Sequence, residues 1–450
     1  MLELPRGWAE ARLDELASVN PKQEFDDELT AGFVPMAYAP TNFQDKLRFD
    51  ERNWGDIKKA YTNFKDGDVI FAKVTPCFEN GKAALVAGLP NGIGAGSSEF
   101  FVLRPSTLEV SAKYLLAVIK SHDFMKNGAF NMTGAVGLRR VPRQFVESFV
   151  VAVPPAAEQI RITKRLDELL TRVHTLKINL DAIQLLLKRF RQSVLAAATK
   201  GGLTELWRER QSLSFEWPRE NFSSLISEFK SGASATPSDS PHGVPIVRSS
   251  AVRSMAVDFL DIRHFDFDTD LNERDYIKKG DLLFTRLSGS AEFVGMCARV
   301  KTPPKIPTQF PDRLFCARLK NIDFAPYLEL FFSSKPFLDH VRKNLKSSAG
   351  HQRITTDVVK NAWIPLPPLD EQTEIVRRVE QLFAFADQLE AKVAAAKTRI
   401  DQLTQSILAK AFRGELVPQD PDDEPASVLL ERIKAQRVAA PKATRKKKAN

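Results

Sequence analysis

Apolar residues along this chain follow two rhythms. In two long stretches they recur every three or four residues, and elsewhere they come in short runs broken by glycine, proline or aspartate. Ile375, Val379, Leu382, Ala386, Leu389, Val393, Ala396, Ile400, Leu403 and Ile407 step by four and three without interruption. Shifted back by 213 residues, the same positions are Ile162, Leu166, Leu169, Val173, Leu176, Leu180, Ile183, Leu187, Phe190 and Val194, all apolar. A sustained 3.5-residue repeat keeps one narrow stripe against a partner helix and winds the pair left-handedly. Pro154–Pro155 and Pro367–Pro368 fit just before a helix and not inside one, while Gly201 and Gly414 stand where a helix would end. The spacing therefore predicts two long helices packed as an antiparallel coiled coil with pseudo-two-fold symmetry, which gives both copies equivalent surroundings. The alternative is two separate helices, each using its own domain as partner.

The short runs predict strands. "GDVIFAK" and "GDLLFTR", also 213 residues apart, are a Gly-Asp turn followed by a strand. "FVVAVPP" and "AWIPLPP" read as strands running into the helix starts, and "VPIVRSSAV" from Val244 as another, approximately matched by "VPMAYAP" at Val34. "PPAAEQIRITKRLDELL" and "PPLDEQTEIVRRVEQLF" share one frame, as do "RQSVLAAATKGGL" and "TQSILAKAFRGEL". With a four-residue shift the repeat reaches back to "LPRGWAEARLDEL" and "SFEWPRENFSSL". The fold class is α+β, with two mixed α/β heads each followed by a long helix. Boundaries fall at 1–153 for the first head, 154–213 for the central helix region, 214–366 for the second head and 367–417 for the C-terminal helix region. Residues 418–450 form an acidic linker, a short helix and a basic tail expected to be partly disordered. The frame repeats while the heads diverge.

Composition adds little. With 43% hydrophobic and 27% charged residues the chain is an ordinary globular protein, and no uncharged run is long and apolar enough to span a membrane. "MLELPRGW" lacks a signal-peptide pattern, so the expected location is cytoplasmic. Cys77, Cys297 and Cys316 form no C-x-x-C pair, and no metal site is expected. The net charge is +9, of which the last fourteen residues carry +6, so charge alone points only weakly to a polyanion. No phosphate-cradling loop of the G-x-x-x-x-G-K-[ST] type occurs. The double prolines do not complete an adenine-methyltransferase motif, Pro311–Asp312 does not complete a nuclease motif, and "GIGAGSSEF" is expected to be a plain loop. The chain reads as a binder with no catalytic residues.

The duplicated plan, together with "PPLDEQTEIVRRVEQLF", "LTQSILAKAFRGEL", "LKRFRQSVL" and "GDLLFTR", resembles the specificity subunit of type I restriction-modification systems, in the subgroup typified by the K-12 enzyme of enteric bacteria. The resemblance implies that each head is a target recognition domain and that the helices are a spacer. It implies double-stranded DNA as a partner, read as two unlike half-sites across a fixed gap. It also implies two methyltransferase subunits and two ATP-driven restriction subunits, with S-adenosylmethionine, ATP and Mg on those partners and no cofactor on this chain. Two other readings stay open on the residues alone. One is a coiled-coil scaffold with protein-binding heads; the other is a methyltransferase or nuclease with an unrecognised site.

DNA is contacted by Arg, Lys, Asn, Gln, Ser and Thr side chains on loops and by backbone amides at glycine turns. Lys73 and Arg286, equivalent in the repeat, each close a strand before a loop, and Ser288 follows in the second loop. Arg140 and Arg353 are also equivalent and follow glycine turns, with Arg139 and Gln352 beside them. Arg248 and Ser249 after "VPIV" complete the candidate set.

Overall fold

The computed structural model describes residues 4–439 apart from 136, 214, 215, 239–241, 268, 270 and 349. Two helices of 44 residues dominate it, Ala156–Thr199 and Leu369–Phe412. Each begins directly after its proline pair and ends just before a glycine with positive φ, Gly201 or Gly414. The chain divides into two compact units, residues 1–181 with 395–450 and residues 182–394. Each unit thus holds one head, the N-terminal part of the helix that follows it, and the C-terminal part of the other helix.

Ion pairs give the register of the helices. In the first unit Lys177 reaches Asp401 at 3.0 Å and Asp181 pairs with Lys397. Four residues forward on one helix match four residues back on the other, so the two segments run antiparallel. In the second unit Arg191 holds Asp387 at 2.8 Å and Glu390 at 2.7 Å. Of the stripe residues, Ile162, Leu166, Val173, Leu187, Val194, Ile375, Val379, Ala386, Val393 and Ile407 are buried. Leu169, Leu180, Ile183, Leu382, Leu389 and Ile400 are partly buried. Leu176 and Leu403 depart from the expected seam, with 49% and 45% of their surface in water. The core of the first head does not extend to them, and a facing helix alone covers only one side of a leucine.

Both heads are built on the same antiparallel sheet. In the first its order is Ala17–Val19, Phe100–Pro105, Val69–Ala72, Ala83–Leu85. In the second it is Ile226–Ser231, Leu314–Leu319, Leu282–Thr285, Cys297–Arg299. The central strands, "VIFA" and "LLFT", are wholly buried, as a strand covered on both faces should be. The heads differ in what is added. The first carries a second sheet, Asp50–Asn53, Thr30–Val34, Ile93–Gly96, Thr62–Lys65. There "GIGAGSSEF" is not the loop its glycines predict. Ile93–Gly96 is a buried strand parallel to Thr30–Val34, and a Cβ on Gly96 would sit 2.3 Å from the Val34 carbonyl. The strand expected in "VPMAYAP" also lies earlier, ending at Val34. The second head instead pairs Val244–Val247 with Ile262–Phe265.

A buried glutamate ties each head to its helix. Glu158, in the first turn of the first helix, accepts from Trp8 Nε1 at 2.9 Å. Its repeat equivalent Glu371 accepts from Trp217 Nε1 at 2.9 Å, Thr204 Oγ1 at 2.6 Å and Arg208 Nη1 at 2.7 Å. Gly201 adopts φ +83°, which favours glycine, and a Cβ there would also lie 2.6 Å from that guanidinium. The short helix expected in the C-terminal region packs on the first head. Helix Ala426–Ala439 buries Leu429, Leu430 and Ile433 in the first head's core, and the Ala426 N–H donates to the Gly7 carbonyl at 2.8 Å. Arg437 belongs to this helix and donates to Ser106 Oγ at 2.7 Å. The tail expected to be disordered lies outside the described residues from 440 onward.

Candidate nucleic-acid interface

In the first head Lys73 follows the buried strand Val69–Ala72, and two backbone bonds fix it. Its N–H donates to the Glu99 carbonyl and its carbonyl accepts from Val141 N–H, at 2.9 and 2.8 Å. Arg140 is held between Val74 and Thr133 by antiparallel bridges. Thr75 locks Arg139 in place: its hydroxyl accepts from Arg139 N–H at 2.8 Å and donates to the Arg139 carbonyl at 3.1 Å. Lys73 thus comes together with Arg139 and Arg140, which lie 66 and 67 positions further along the sequence.

Glutamates occupy this cluster. Arg140 Nε donates to Glu99 Oε1 and Oε2 at 3.1 and 3.0 Å, and Arg140 Nη2 donates to Oε1 at 2.7 Å. Lys73 Nζ lies 4.0 Å from the same carboxylate, and Arg139 reaches Glu79 at 3.4 Å. The Arg140 hydrogen bonds hold the Glu99 carboxyl below its ordinary range, so it stays charged at neutral pH. Leu138, 54% exposed, stands next to the two arginines.

The second head repeats the motif with other chemistry. Leu287 pairs with Arg353 and Ser288 with Gln352, and the strand His351–Arg353 also pairs with Lys346–Ser348. This gathers Ser288, Gln352 and Arg353 on one small sheet, with Arg286 immediately before its first strand. Arg286 Nη1 donates to the Asp312 carbonyl at 3.1 Å, and its guanidinium lies 5.5 Å from the Phe315 ring centre. Gln352 Nε2 donates to Ser347 Oγ at 3.1 Å. Arg353 is exposed and forms no ion pair among the described residues. Arg248 and Ser249 line a cleft of about 590 Å³ together with Ser250, Arg263, Asp312 and Arg313. Asp312, whose carbonyl orients Arg286, connects that cleft to the sheet. Arg248 itself lies 3.6 Å from Asp261.

Sequence reasoning missed the acids, Glu99 and Glu79 here and Glu158 and Glu371 at the head-helix joints. One signal for Glu99 was available: the 213-residue shift sets it over Asp312. Among the described residues, no group of three or more His, Cys, Asp or Glu is placed to hold a metal ion. No helix among them is long and apolar enough to cross a membrane.

A family model described as the type I restriction modification DNA specificity domain matches residues 5–183 and 261–396. The chain belongs to this family. It is a specificity subunit of a type I restriction-modification system, a non-catalytic component of such a complex. The EcoKI specificity subunit of Escherichia coli K12 is 34% identical to it over 99% of both chains. The StySPI specificity subunit of Salmonella potsdam is 30% identical, again over 99% of both. The fold is shared with a chain from a study of complex assembly and conformational transition of the type I R-M system. That chain has a TM-score of 0.73 and 21% identity, over 92% of this specificity subunit and all of the other. The HsdS subunit from Thermoanaerobacter tengcongensis gives a TM-score of 0.55 and 22% identity, over 92% and 98%.

Proposed function

We propose that this specificity subunit reads a bipartite, asymmetric double-stranded DNA target, one half-site per head. It directs adenine methylation and ATP-dependent restriction by two methyltransferase and two restriction subunits, in the cytoplasm. A symmetric dimer reads a palindrome because its two readers are identical; duplication followed by divergence turns the target into two unlike halves. The observation that carries this is the pairing of one repeated backbone motif with different side chains. Lys73, Arg139 and Arg140 among glutamates in one head stand where Arg286, Gln352 and an open Arg353 stand in the other. Arg248, Ser249 and Ser288 extend the second surface. S-adenosylmethionine, ATP and Mg belong to the partner subunits in this reading.

The helices act as the spacer. At ~1.5 Å per residue, 44 residues make a rod of about 66 Å, long enough to leave a fixed number of base pairs unread. Methylome sequencing of a host carrying the gene with its methyltransferase partner tests the proposal. Methylated adenines at two short motifs across a constant gap, lost on deleting either gene, are expected. Methylation at one continuous short site would overturn it.

A further inference from the structure

On the reading just proposed, the first head's surface carries a more specific assignment. We infer that Arg140 reads a G·C pair in one half-site, and that Glu99 is the positioning residue that aims it.

The geometry separates the two edges of the guanidinium. Glu99 takes Nε and one N–H of Nη2, leaving the end formed by Nη1 and the second N–H of Nη2. Nη1 has no protein partner among the described residues. Two parallel donors at that end match the O6 and N7 acceptors of guanine in the major groove, the base edge for which a bidentate arginine is most selective. A free arginine side chain gives up rotamer entropy on binding; one already braced gives up less. The brace is itself rigid. The Glu99 N–H donates to Ser97 Oγ at 3.2 Å and the Glu99 carbonyl accepts from Lys73 N–H. Arg140 is fixed through its backbone to Val74 and Thr133.

A phosphate-binding arginine has no need of such a brace, and a carboxylate bonded bidentately to Arg140 already offsets the charge a phosphate would seek, whereas Lys73 stands 4.0 Å off and stays available. The same carboxylate costs little against a neutral base edge. Glu99 therefore argues for base reading over backbone contact. The second head supports the distinction, because the equivalent acid is the shorter Asp312. There Arg286 is aimed by a backbone carbonyl, and Arg353 has no side-chain brace among the described residues.

The test uses the complete methyltransferase complex with the full chain, and the methylome as readout. Wild type is expected to show an invariant G·C pair in at least one half-site. Arg140→Lys keeps the charge and loses the fork, so discrimination at that pair should fall roughly ten- to hundred-fold, with the rest of that half-site and the whole of the other kept. Glu99→Gln should relax the same position by a smaller factor. Competition binding of purified complex to duplexes substituted one pair at a time gives an independent measure. Several outcomes overturn the assignment: no invariant G·C pair, an unchanged motif in Arg140→Lys, or weakening uniform across sequences. So does a Glu99→Gln change at a different position, or loss of both half-sites together. In each of these a bipartite wild-type motif leaves the proposed function standing, whereas a wild type that methylates a continuous site removes that function itself.

Discussion

Glu158 and Glu371 occupy the same place in the two copies and meet different fates. Glu371 is saturated by an indole, a hydroxyl and a guanidinium. Among the described residues Glu158 has only the indole, and its buried Oε1 has no hydrogen-bond partner. The difference follows from what comes after each long helix. After the first, the chain turns at Gly201 into Glu205–Gln211, whose Arg208 folds back on Glu371. After the second, the position equivalent to Arg208 is Pro421 and that equivalent to Thr204 is Val417. The chain there crosses an acidic stretch and then docks Ala426–Ala439 on the first head. One copy closes its joint with a buried ion pair, the other with an apolar helix. Duplicated backbone tolerates both solutions because the strand-helix geometry around each tryptophan is the same.

The comparison breaks most severely where the apolar solution is removed. Ending the chain at residue 425 strips Leu429, Leu430 and Ile433, all buried, from the first head's core. At ~1.5–3 kcal/mol for each fully buried side chain, the first unit should lose roughly 5–8 kcal/mol. Hydrogen exchange should then show residues 4–135 exchanging faster, with the second head unchanged. Ending at 439 instead should leave both heads as they are. The matching lesion in the second copy is Arg208→Met. Glu371 would stay buried without its cation, and breaking one side of a buried pair costs about 3–5 kcal/mol. The loss should appear in the second unit alone by the same measurement.

The heads offer a smaller contrast. Lys73 lies 4.0 Å from the carboxylate that Arg140 grips bidentately, so a phosphate can draw it away without disturbing the arginine. Lys73→Ala should weaken DNA binding by the complex about equally for all sequences and reduce the slope of log K against log salt by about 1. A change in the methylated motif would instead make Lys73 a base reader and erase its difference from Arg140.

How far the chain was legible follows from the range of each interaction. The stripe from Ile162 to Leu187 is local, and its 3.5-residue period is enough by itself to call for a helix partner. Its burial is not local. Leu176 fits the pattern as well as Val173, yet only Val173 belongs to the head's core. Lys73 and Arg140 were each readable as candidates through the repeat, since they flank turns that recur 213 residues later, but their meeting was not. Glu99 was hidden because Gly94 and Gly96 imitate a flexible loop, when their real role is to let two strands approach too closely for a Cβ. Trp8 and Glu158 are 150 residues apart, and no pattern within a helix turn marks a glutamate as buried. The helix in "SVLLERIKAQRVA" was visible, but not the Gly7 carbonyl that anchors it.

The unpaired Glu158 carries the finest test of the comparison, because it concerns one proton. Burial raises the Glu158 carboxyl above its ordinary range, against the lowering effect of the Trp8 hydrogen bond. A carboxyl whose pKa is higher in the folded state binds a proton more tightly there than in the unfolded chain. Its favourable contribution is therefore complete below the unfolded value, and it disappears as pH rises through the folded one. The first unit should lose stability as pH climbs above the ordinary glutamate value of about 4, by an amount that Glu158→Gln removes. Glutamine keeps an acceptor for the Trp8 indole and cannot ionise, so near neutral pH it should cost less than about 1 kcal/mol. Glu371→Gln, in the saturated joint, removes the anion that Arg208 needs and should cost several times more at the same pH. Melting curves of both variants and wild type across that pH range check the point. Equal losses for the two substitutions would mean that Glu158 is ionised and compensated as fully as Glu371.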